Sequence, residues 1–248
     1  MPEPITLLLI LLLGIATGFI DSTVGSGGLI SVPSLIFIGL PPQIAIGTDR
    51  FGMIGQILSA LVKFSRAKKI NWKYVPIFTL LGFVGAIVGA NILLGIEEDR
   101  FETIIGVLLF ILLPLVFFKS KIGIKKRKTA KLQKGIGLTI YLFLMIFSGF
   151  FGAGVGPIML YTVIYFLGFT IIESIATSMI PWFVLSISSL VIFANNGLID
   201  YQKGIFLLIG MTIGGYLGAH IALQKGDVWI KRLFAVVIIV SGIKLLFF

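Results

Sequence analysis

A polar, glycine-rich stretch interrupts the apolar amino terminus of the chain. Residues 21–28 read DSTVGSGG, a carboxylate and hydroxyls followed by closely spaced glycines. Irregular polar backbone at membrane depth is costly unless it is buried in protein or lines a cavity. Because the start of a broken helix exposes backbone N–H donors and partial positive charge, we expect half of an anion site here. The candidate binding residues are Asp21, Ser22, Gly25, Gly27 and Gly28.

A second stretch of this kind lies in the other half of the chain, where residues 149–157 read GFFGAGVGP. Its proline suits the first turn of a helix, so a second half-helix is predicted to begin here. An anion would be favoured between two such helix starts. In GAIVGA and GGYLGA, by contrast, the small-xxx-small spacing favours close packing of helices. The second stretch adds the candidates Gly152, Gly154, Gly156 and Pro157.

A pair of polar positions follows each stretch. AIGTDRF places Thr48, Asp49 and Arg50 just inside the next apolar segment, and IATSMIP places Thr177 and Ser178 in register with them. Ionisable residues inside a membrane segment are functional candidates, so Arg50 is the expected counter-charge for an anion. Two alternatives stay open: the two charges neutralise each other, or both side chains reach interfacial water.

Composition places these residues in a membrane protein. Of 248 residues, 58% are hydrophobic and only 12% are charged, and the mean hydropathy is +1.12, which no ordinary soluble domain shows. The net charge of +10 lies mostly in short loops between apolar runs, so it indicates membrane orientation and no nucleic-acid partner. Without cysteine and with only His220 for imidazole chemistry, the sequence predicts no metal site and no cofactor.

Internal repetition divides the chain into two copies. Thr48 matches Thr177, and Asn71 corresponds to Asp200, each pair being 129 positions apart. Asn71 and Asp200 are predicted helix N-caps. We expect an all-α polytopic membrane protein in which each repeat has a short broken-helix hairpin plus about three full transmembrane helices. The predicted units are the first repeat at 1–118, a basic cytoplasmic loop at 119–135 and the second repeat at 136–248, and the apolar segments of the first repeat are 5–20, 29–39, 44–62, 72–94 and 101–118.

Loop charges predict the orientation of the two copies. Residues 63–73 and 119–134 are rich in Lys and Arg and are expected in the cytoplasm, whereas the acidic 97–99 is expected outside. In the second copy the order reverses, because 195–203 is nearly neutral and 225–232 is basic. The repeats are therefore predicted to be inverted, in a multi-pass protein of the cell membrane with both termini outside.

The two motif regions together resemble the sulfite exporter TauE/SafE family, also called the TSUP permeases. The resemblance is carried by GFIDSTVGSGGLISVPSLIFIGLPPQIAIGTDR and, more weakly, by GFFGAGVGPIMLYTVIYFLGFTIIESIATS. It implies a permease for small sulfur-containing anions such as sulfite, sulfonates or thiosulfate. The family positions carried over are Asp21, Gly25, Gly27, Gly28, Thr48 and Arg50 in the first half, and Gly152, Gly154, Gly156 and Thr177 in the second.

Four residues at three sites depart from the family pattern. Ser26 interrupts what is commonly a longer glycine run, and Asp49–Arg50 stands where the family often has Asn-Lys. Met179 occupies a position that can carry a basic residue in the family. With a single intramembrane cation, the number of negative charges on the substrate stays open.

The leading functional hypothesis is a secondary transporter that moves a small sulfur oxyanion through the bilayer by alternating access. Protons are a candidate coupling ion, with Asp21 as their carrier if it faces the cavity. An anion channel is the first alternative and a membrane-embedded enzyme the second, although the chain has no paired intramembrane carboxylates at helical spacing and no His-Glu-x-x-His motif. Assembly into a homo-oligomer is left open.

Overall fold

Eight helices make up the part of the chain that the computed structural model describes, residues 3–96, 123–152 and 154–247, with side chains described as far as residue 233. Five of them are long and apolar enough to cross a membrane. The prediction of an all-helical, polytopic protein is confirmed over these ranges. The helices are α1 Glu3–Val24, α2 Gly28–Phe37, α3 Pro42–Arg66, α4 Val75–Leu94, α5 Lys131–Phe150, α6 Val155–Thr162 with a π-helical turn at Val163–Leu167, α7 Ile171–Asn195 and α8 Tyr201–Phe247.

The first helix is longer than the apolar pattern predicted, because its polar residues extend it to Val24. The Ser22 hydroxyl donates to the Gly18 carbonyl oxygen at 2.9 Å, and Thr23 bonds to the preceding turn in the same way. Hydroxyls bonded to their own helix need no other partner. The predicted shortness of the hairpin helices is corrected for the first helix of each pair: α1, with 22 residues, and α5, with 20, are long enough to span a membrane. The second helices, α2 and α6, are short as predicted.

Helix boundaries recur at the spacing of the predicted repeat. α3 covers 42–66 and α7 covers 171–195, so both ends of these helices lie 129 residues apart. α4 corresponds to the first part of α8, which is broken at Gly226 with a φ of 76°. α5 begins at Lys131, within the range predicted as the basic loop. The predicted segment 101–118 lies outside the described residues.

The two halves pack mainly against each other. α1 and α3 pack on α8, whereas α5 and α7 pack on α4. Glycines make this approach close: a Cβ added to Gly85 would lie 2.6 Å from the Met145 carbonyl oxygen, and one added to Gly214 would lie 2.8 Å from the Phe19 nitrogen. The predicted packing role of the GAIVGA and GGYLGA segments is confirmed.

Two matching hydrogen bonds join the halves. The Thr48 hydroxyl accepts from the Asp200 N–H at 3.0 Å, and the Thr177 hydroxyl accepts from the Asn71 N–H at 2.9 Å. The two donors occupy equivalent positions, as do the two acceptors, so each half contributes one threonine hydroxyl and one backbone N–H. The Thr48 bond therefore connects α3 to the residue before α8, and the Thr177 bond connects α7 to the segment before α4.

Only one of the two predicted helix N-caps has that role. The Asp200 carboxylate accepts from the Lys203 N–H at 3.0 Å at the start of α8, which confirms the N-cap prediction there. Asn71 was predicted wrongly, since its side-chain amide donates to a Glu173 carboxylate oxygen at 2.9 Å and α4 begins after Tyr74. The Asn71 side chain thus bonds to a carboxylate of the other repeat and does not cap α4.

We predict that Gly85→Ala lowers thermal stability, because the added Cβ would overlap the backbone of Met145. Overpacking of this kind costs about 1–3 kcal/mol. Gly135→Ala in α5 is the matched control: its added Cβ would meet nothing within 4 Å among the described atoms, and Ala is the better helix former. Thermal unfolding in detergent micelles checks both variants. Equal melting temperatures for Gly85→Ala and the wild type would contradict the prediction.

Candidate functional site

The first break in the helices joins α1 to α2, and Asp21 holds both sides of it. Gly25 adopts a φ of 72°, a conformation that favours glycine, and its N–H donates to the Asp21 carbonyl oxygen at 2.9 Å. The Asp21 carboxylate accepts a bond of 2.9 Å from the N–H of Gly27, directly before α2. The backbone of Asp21 therefore closes one helix, while its side chain satisfies a donor at the start of the next.

The second break joins α5 to α6, and Arg50 from α3 stabilises it. At the end of α5 the Gly152 N–H bonds to the Phe147 carbonyl oxygen, which leaves the Ser148 carbonyl without its regular helical donor. Arg50 Nη2 donates to this Ser148 oxygen. The negative end of the helix dipole also favours a cation at this position. A charged side chain of the first repeat thus completes the backbone of the second.

The two breaks touch each other at two glycines. A Cβ added to Gly25 would lie 3.1 Å from the Gly156 Cα, and one added to Gly156 would overlap the Gly25 carbonyl oxygen. Gly154, the residue before α6, has a φ of 80°, and Pro157 is buried in the first turn of that helix. Both short helices therefore begin at the same place in the protein.

A cavity of about 60 Å³ lies at this junction. One water needs about 10–15 Å³, so the cavity has room for several waters or one small ligand. The first turns of both short helices contribute to its wall through Gly28 and Gly156. Eight of the residues predicted from the sequence line the cavity, namely Asp21, Gly25, Gly28, Asp49, Arg50, Gly152, Gly156 and Ser178.

The charged groups on the cavity wall are deeply buried and incompletely bonded. Arg50 is 1% exposed and Asp49 is 5% exposed, so neither side chain reaches interfacial water as one alternative supposed. Among the described residues, Arg50 Nε and one Asp49 oxygen have no hydrogen-bond partner. Arg50 Nη1 lies 3.6 Å from the Met53 sulfur, a weak acceptor. Two side chains that line the cavity therefore keep an unused hydrogen-bond donor and an unused acceptor.

The two adjacent charges also do not form a contact ion pair. Side chains of neighbouring residues on a helix do not face each other, so Asp49 and Arg50 can line the same cavity without touching. In the described part of the chain, ion pairs within 4 Å join Lys126 to Glu173 and Lys203 to Asp200. The guanidinium is thus held by a carbonyl oxygen and remains available to a ligand.

The other predicted residues support the site without lining the cavity. The Ser22 hydroxyl bonds within α1, and Thr48 and Thr177 join the two halves as described above. Gly27 donates its N–H to the Asp21 carboxylate. Gly154 and Pro157 shape the start of α6.

Several cavity residues were absent from the sequence prediction. The nearly buried Gln56 contributes an amide to the wall, and Ser174 contributes a hydroxyl. Met53 and Trp182, which occupy equivalent positions of the two repeats, add large apolar surfaces. Helical spacing could have found them, because Met53 lies one turn beyond Asp49 and Trp182 lies one turn beyond Ser178.

The chemistry available here is recognition of charge and shape. One guanidinium, two carboxylates, an amide and hydroxyls meet apolar side chains around a small space. Among the described residues, no group of three His, Cys, Asp or Glu side chains could hold a metal ion. A buried guanidinium with a free N–H suits an oxyanion, which accepts hydrogen bonds in the plane of that group.

Comparison with known proteins agrees with this architecture. A profile of the family "Sulfite exporter TauE/SafE" matches residues 10–245. A "Probable membrane transporter protein" of Haemophilus influenzae is 29% identical over 234 residues, which cover 94% of this chain and 92% of the relative. The "Probable membrane transporter protein YfcA" of Escherichia coli K12 is 25% identical over 247 residues, 100% of this chain and 92% of the relative.

A third relative, the "Probable membrane transporter protein YdhB" of Bacillus subtilis, is 27% identical over 246 residues, which cover 97% of this chain and 99% of the relative. No solved structure matches the chain. The profile match covers almost the full length, including both helix breaks and the cavity between them. The chain therefore belongs to the sulfite exporter TauE/SafE family of membrane proteins.

Proposed function

We propose that this protein is a secondary transporter that carries a small sulfur-containing oxyanion of the sulfite, sulfonate or thiosulfate class. The observation that carries the proposal is the buried Arg50 guanidinium, which lines a cavity between two helix starts and has an N–H without a partner among the described residues. The family description supports the same ligand class. In the bound state the anion would replace the missing acceptor of Arg50.

The remaining cavity groups would orient the anion. Ser178 and Gln56 offer hydrogen-bond donors, and the first turns of α2 and α6 add the partial positive charge of helix N-termini. Apolar contacts with Met53 and Trp182 would accept the organic part of a sulfonate. Asp21, the sequence-based candidate for proton coupling, also lines the cavity.

Alternating access is the proposed transport mode. Inverted repeats that meet at a central site commonly rock against each other around the bound substrate. The matching bonds of Thr48 with Asp200 and of Thr177 with Asn71 support a two-fold relation between the halves. In the orientation that we propose, basic loops face the cytoplasm, both termini face outward, and the protein lies in the cell membrane.

A passive anion channel is the competing function. A carrier moves bound substrate through alternating states, so substrate on one side drives counterflow from the other, whereas a channel shows no counterflow. Saturable uptake with counterflow in proteoliposomes would support the carrier, and linear flux without counterflow would support the channel. An enzymatic role is less well supported, since the relatives are named as membrane transporter proteins.

Arg50→Ala should abolish oxyanion uptake into proteoliposomes, because it removes the cationic group on the cavity wall. Arg66→Ala is the matched control, since Arg66 is exposed at the end of the same helix and the same charge is lost. Uptake of labelled thiosulfate and methanesulfonate measures the effect, and size-exclusion chromatography checks folding. Uptake by folded Arg50→Ala at the wild-type rate would exclude Arg50 as the counter-charge.

Gly152→Ala should weaken anion binding at least tenfold although it changes no charge. Its Cβ would overlap the Arg50 guanidinium and displace it from Ser148. Gly197→Ala is the control for backbone strain, because both glycines have positive φ, 78° and 69°, and the Cβ added to Gly197 would meet nothing within 4 Å among the described atoms. Thermal shift with thiosulfate or methanesulfonate gives the apparent affinity of each. Equal losses in both variants would assign the effect to strain alone.

A further inference from the structure

The charges of the side chains that line the cavity do not sum to zero. Asp21 and Asp49 contribute two negative charges and Arg50 one positive charge, so the ionised, empty cavity carries a net charge of −1. A bound monovalent anion would double that negative charge in a poorly hydrated space. An unpaired charge that is buried away from water has a large unfavourable free energy. Loading the site with an anion therefore requires that a positive charge enter with it.

The two carboxylates differ in what already holds them. The Asp21 carboxylate accepts the Gly27 N–H at 2.9 Å and thereby holds the first helix break together. One Asp49 oxygen, in contrast, is buried without a partner among the described residues. Burial without a hydrogen bond disfavours the charged form of a carboxylate. A proton on Asp49 would also leave untouched the Asp21 carboxylate that holds the first helix break.

The surroundings of Asp49 contain few competing charges. Arg50 follows it on α3, Asp21 faces it from α1, and α2 contributes the neutral Ser31 hydroxyl. The Ser31 hydroxyl donates to the Gly27 carbonyl oxygen at 3.3 Å. α7 and α8 also pack on α3. Glu173 of α7 bonds to Asn71 and pairs with Lys126, and Asp227 of α8 accepts the Ile172 N–H. Asp200, directly before α8, pairs with Lys203.

We propose that Asp49 is the proton carrier of an anion–proton symport, in which one proton accompanies each monovalent anion. This inference rests on the transport function proposed above and names its coupling group. A proton from the aqueous side forms an O–H bond with the Asp49 carboxylate. The neutral acid then donates a hydrogen bond to the anion at Arg50, and the O–H bond breaks when the anion leaves on the other side.

Charge conservation in the cavity explains the stoichiometry. With Asp49 protonated and a monovalent anion bound, the charges of Asp21, Arg50 and the anion again sum to −1, the value of the empty cavity. The loaded and empty proteins therefore reorient with the same charge. Transport of a monovalent anion should be electroneutral, and a divalent anion carried with one proton should be electrogenic.

The test uses full-length protein in proteoliposomes with labelled methanesulfonate and thiosulfate, whose charges do not change at neutral or mildly acidic pH. For the wild type, a gradient of about one pH unit should accumulate methanesulfonate about tenfold, as one-to-one coupling requires. A potassium diffusion potential should leave this accumulation unchanged. Asp49→Asn should still move methanesulfonate, but the potential and no longer the pH gradient should drive it.

Two further variants separate Asp49 from other carboxylates. Glu173→Gln removes an equally buried carboxylate that does not line the cavity, and it should retain the tenfold accumulation. Asp21→Asn keeps an oxygen that accepts the Gly27 N–H and should remain driven by the pH gradient, at a reduced rate. Loss of coupling in Asp21→Asn together with coupled transport by Asp49→Asn would assign the proton to Asp21 and overturn the inference.

Wild-type behaviour separates failure of the inference from failure of the transport proposal. Saturable methanesulfonate or thiosulfate uptake that ignores the pH gradient, or methanesulfonate uptake driven by the potential, would reject symport while the carrier function stands. Absence of uptake and of thermal shift with both anions would reject the carrier function itself. If Asp49→Asn does not fold, the wild-type response to the potential still decides whether transport is proton symport, and loss of coupling in Asp21→Asn would still assign the proton to Asp21 and overturn the inference.

Discussion

The structure depends on satisfying backbone groups at two helix breaks inside an apolar protein. A helix end leaves N–H or carbonyl groups unbonded, and no water is available in the hydrocarbon of a membrane to bond them. Asp21 supplies the missing acceptor at the first break, and Arg50 supplies the missing donor at the second. Because a break needs a strong partner, each one brings an ionisable side chain into the interior. Two of the three charges of the candidate site, Asp21 and Arg50, thus have a structural role at the breaks, whereas Asp49 has none there.

This arrangement couples the two repeats. Arg50 belongs to the first repeat but bonds the Ser148 carbonyl of the second, and Gly25 contacts Gly156 across the junction. A relative movement of the halves would change these contacts at the place where the cavity lies. An anion that bonds Arg50 would compete with or add to the Ser148 bond. The same guanidinium would then bind the ligand and hold the two halves together. That is the physical link that a carrier requires between occupancy and conformation.

Patterns of the sequence predicted the helical class, the spacing of the repeat and eight of the cavity residues, because hydropathy, glycine density and buried charge are local signals. The length of α1 was underestimated because hydropathy treats Ser22 and Thr23 as polar, although their hydroxyls bond within the helix. Asn71 was misassigned because its partner, Glu173, comes from the other repeat. Gln56 and Ser174 were missed for a similar reason: their importance depends on which helix faces meet, which one repeat alone does not reveal.

The asymmetry of the cavity also follows from the duplication. Asp49 and Arg50 have Ser178 and Met179 as their equivalents, and all of these residues line the same small space. If both repeats kept the charged pair, two guanidinium groups and additional carboxylates would share a cavity of about 60 Å³, and like charges at that range repel strongly where water is scarce. One charged half and one largely apolar half avoid this repulsion and still leave a cation to bind an anion. If the proposed function holds, the same division would give a sulfonate a charged wall for its head and an apolar wall for its carbon substituent.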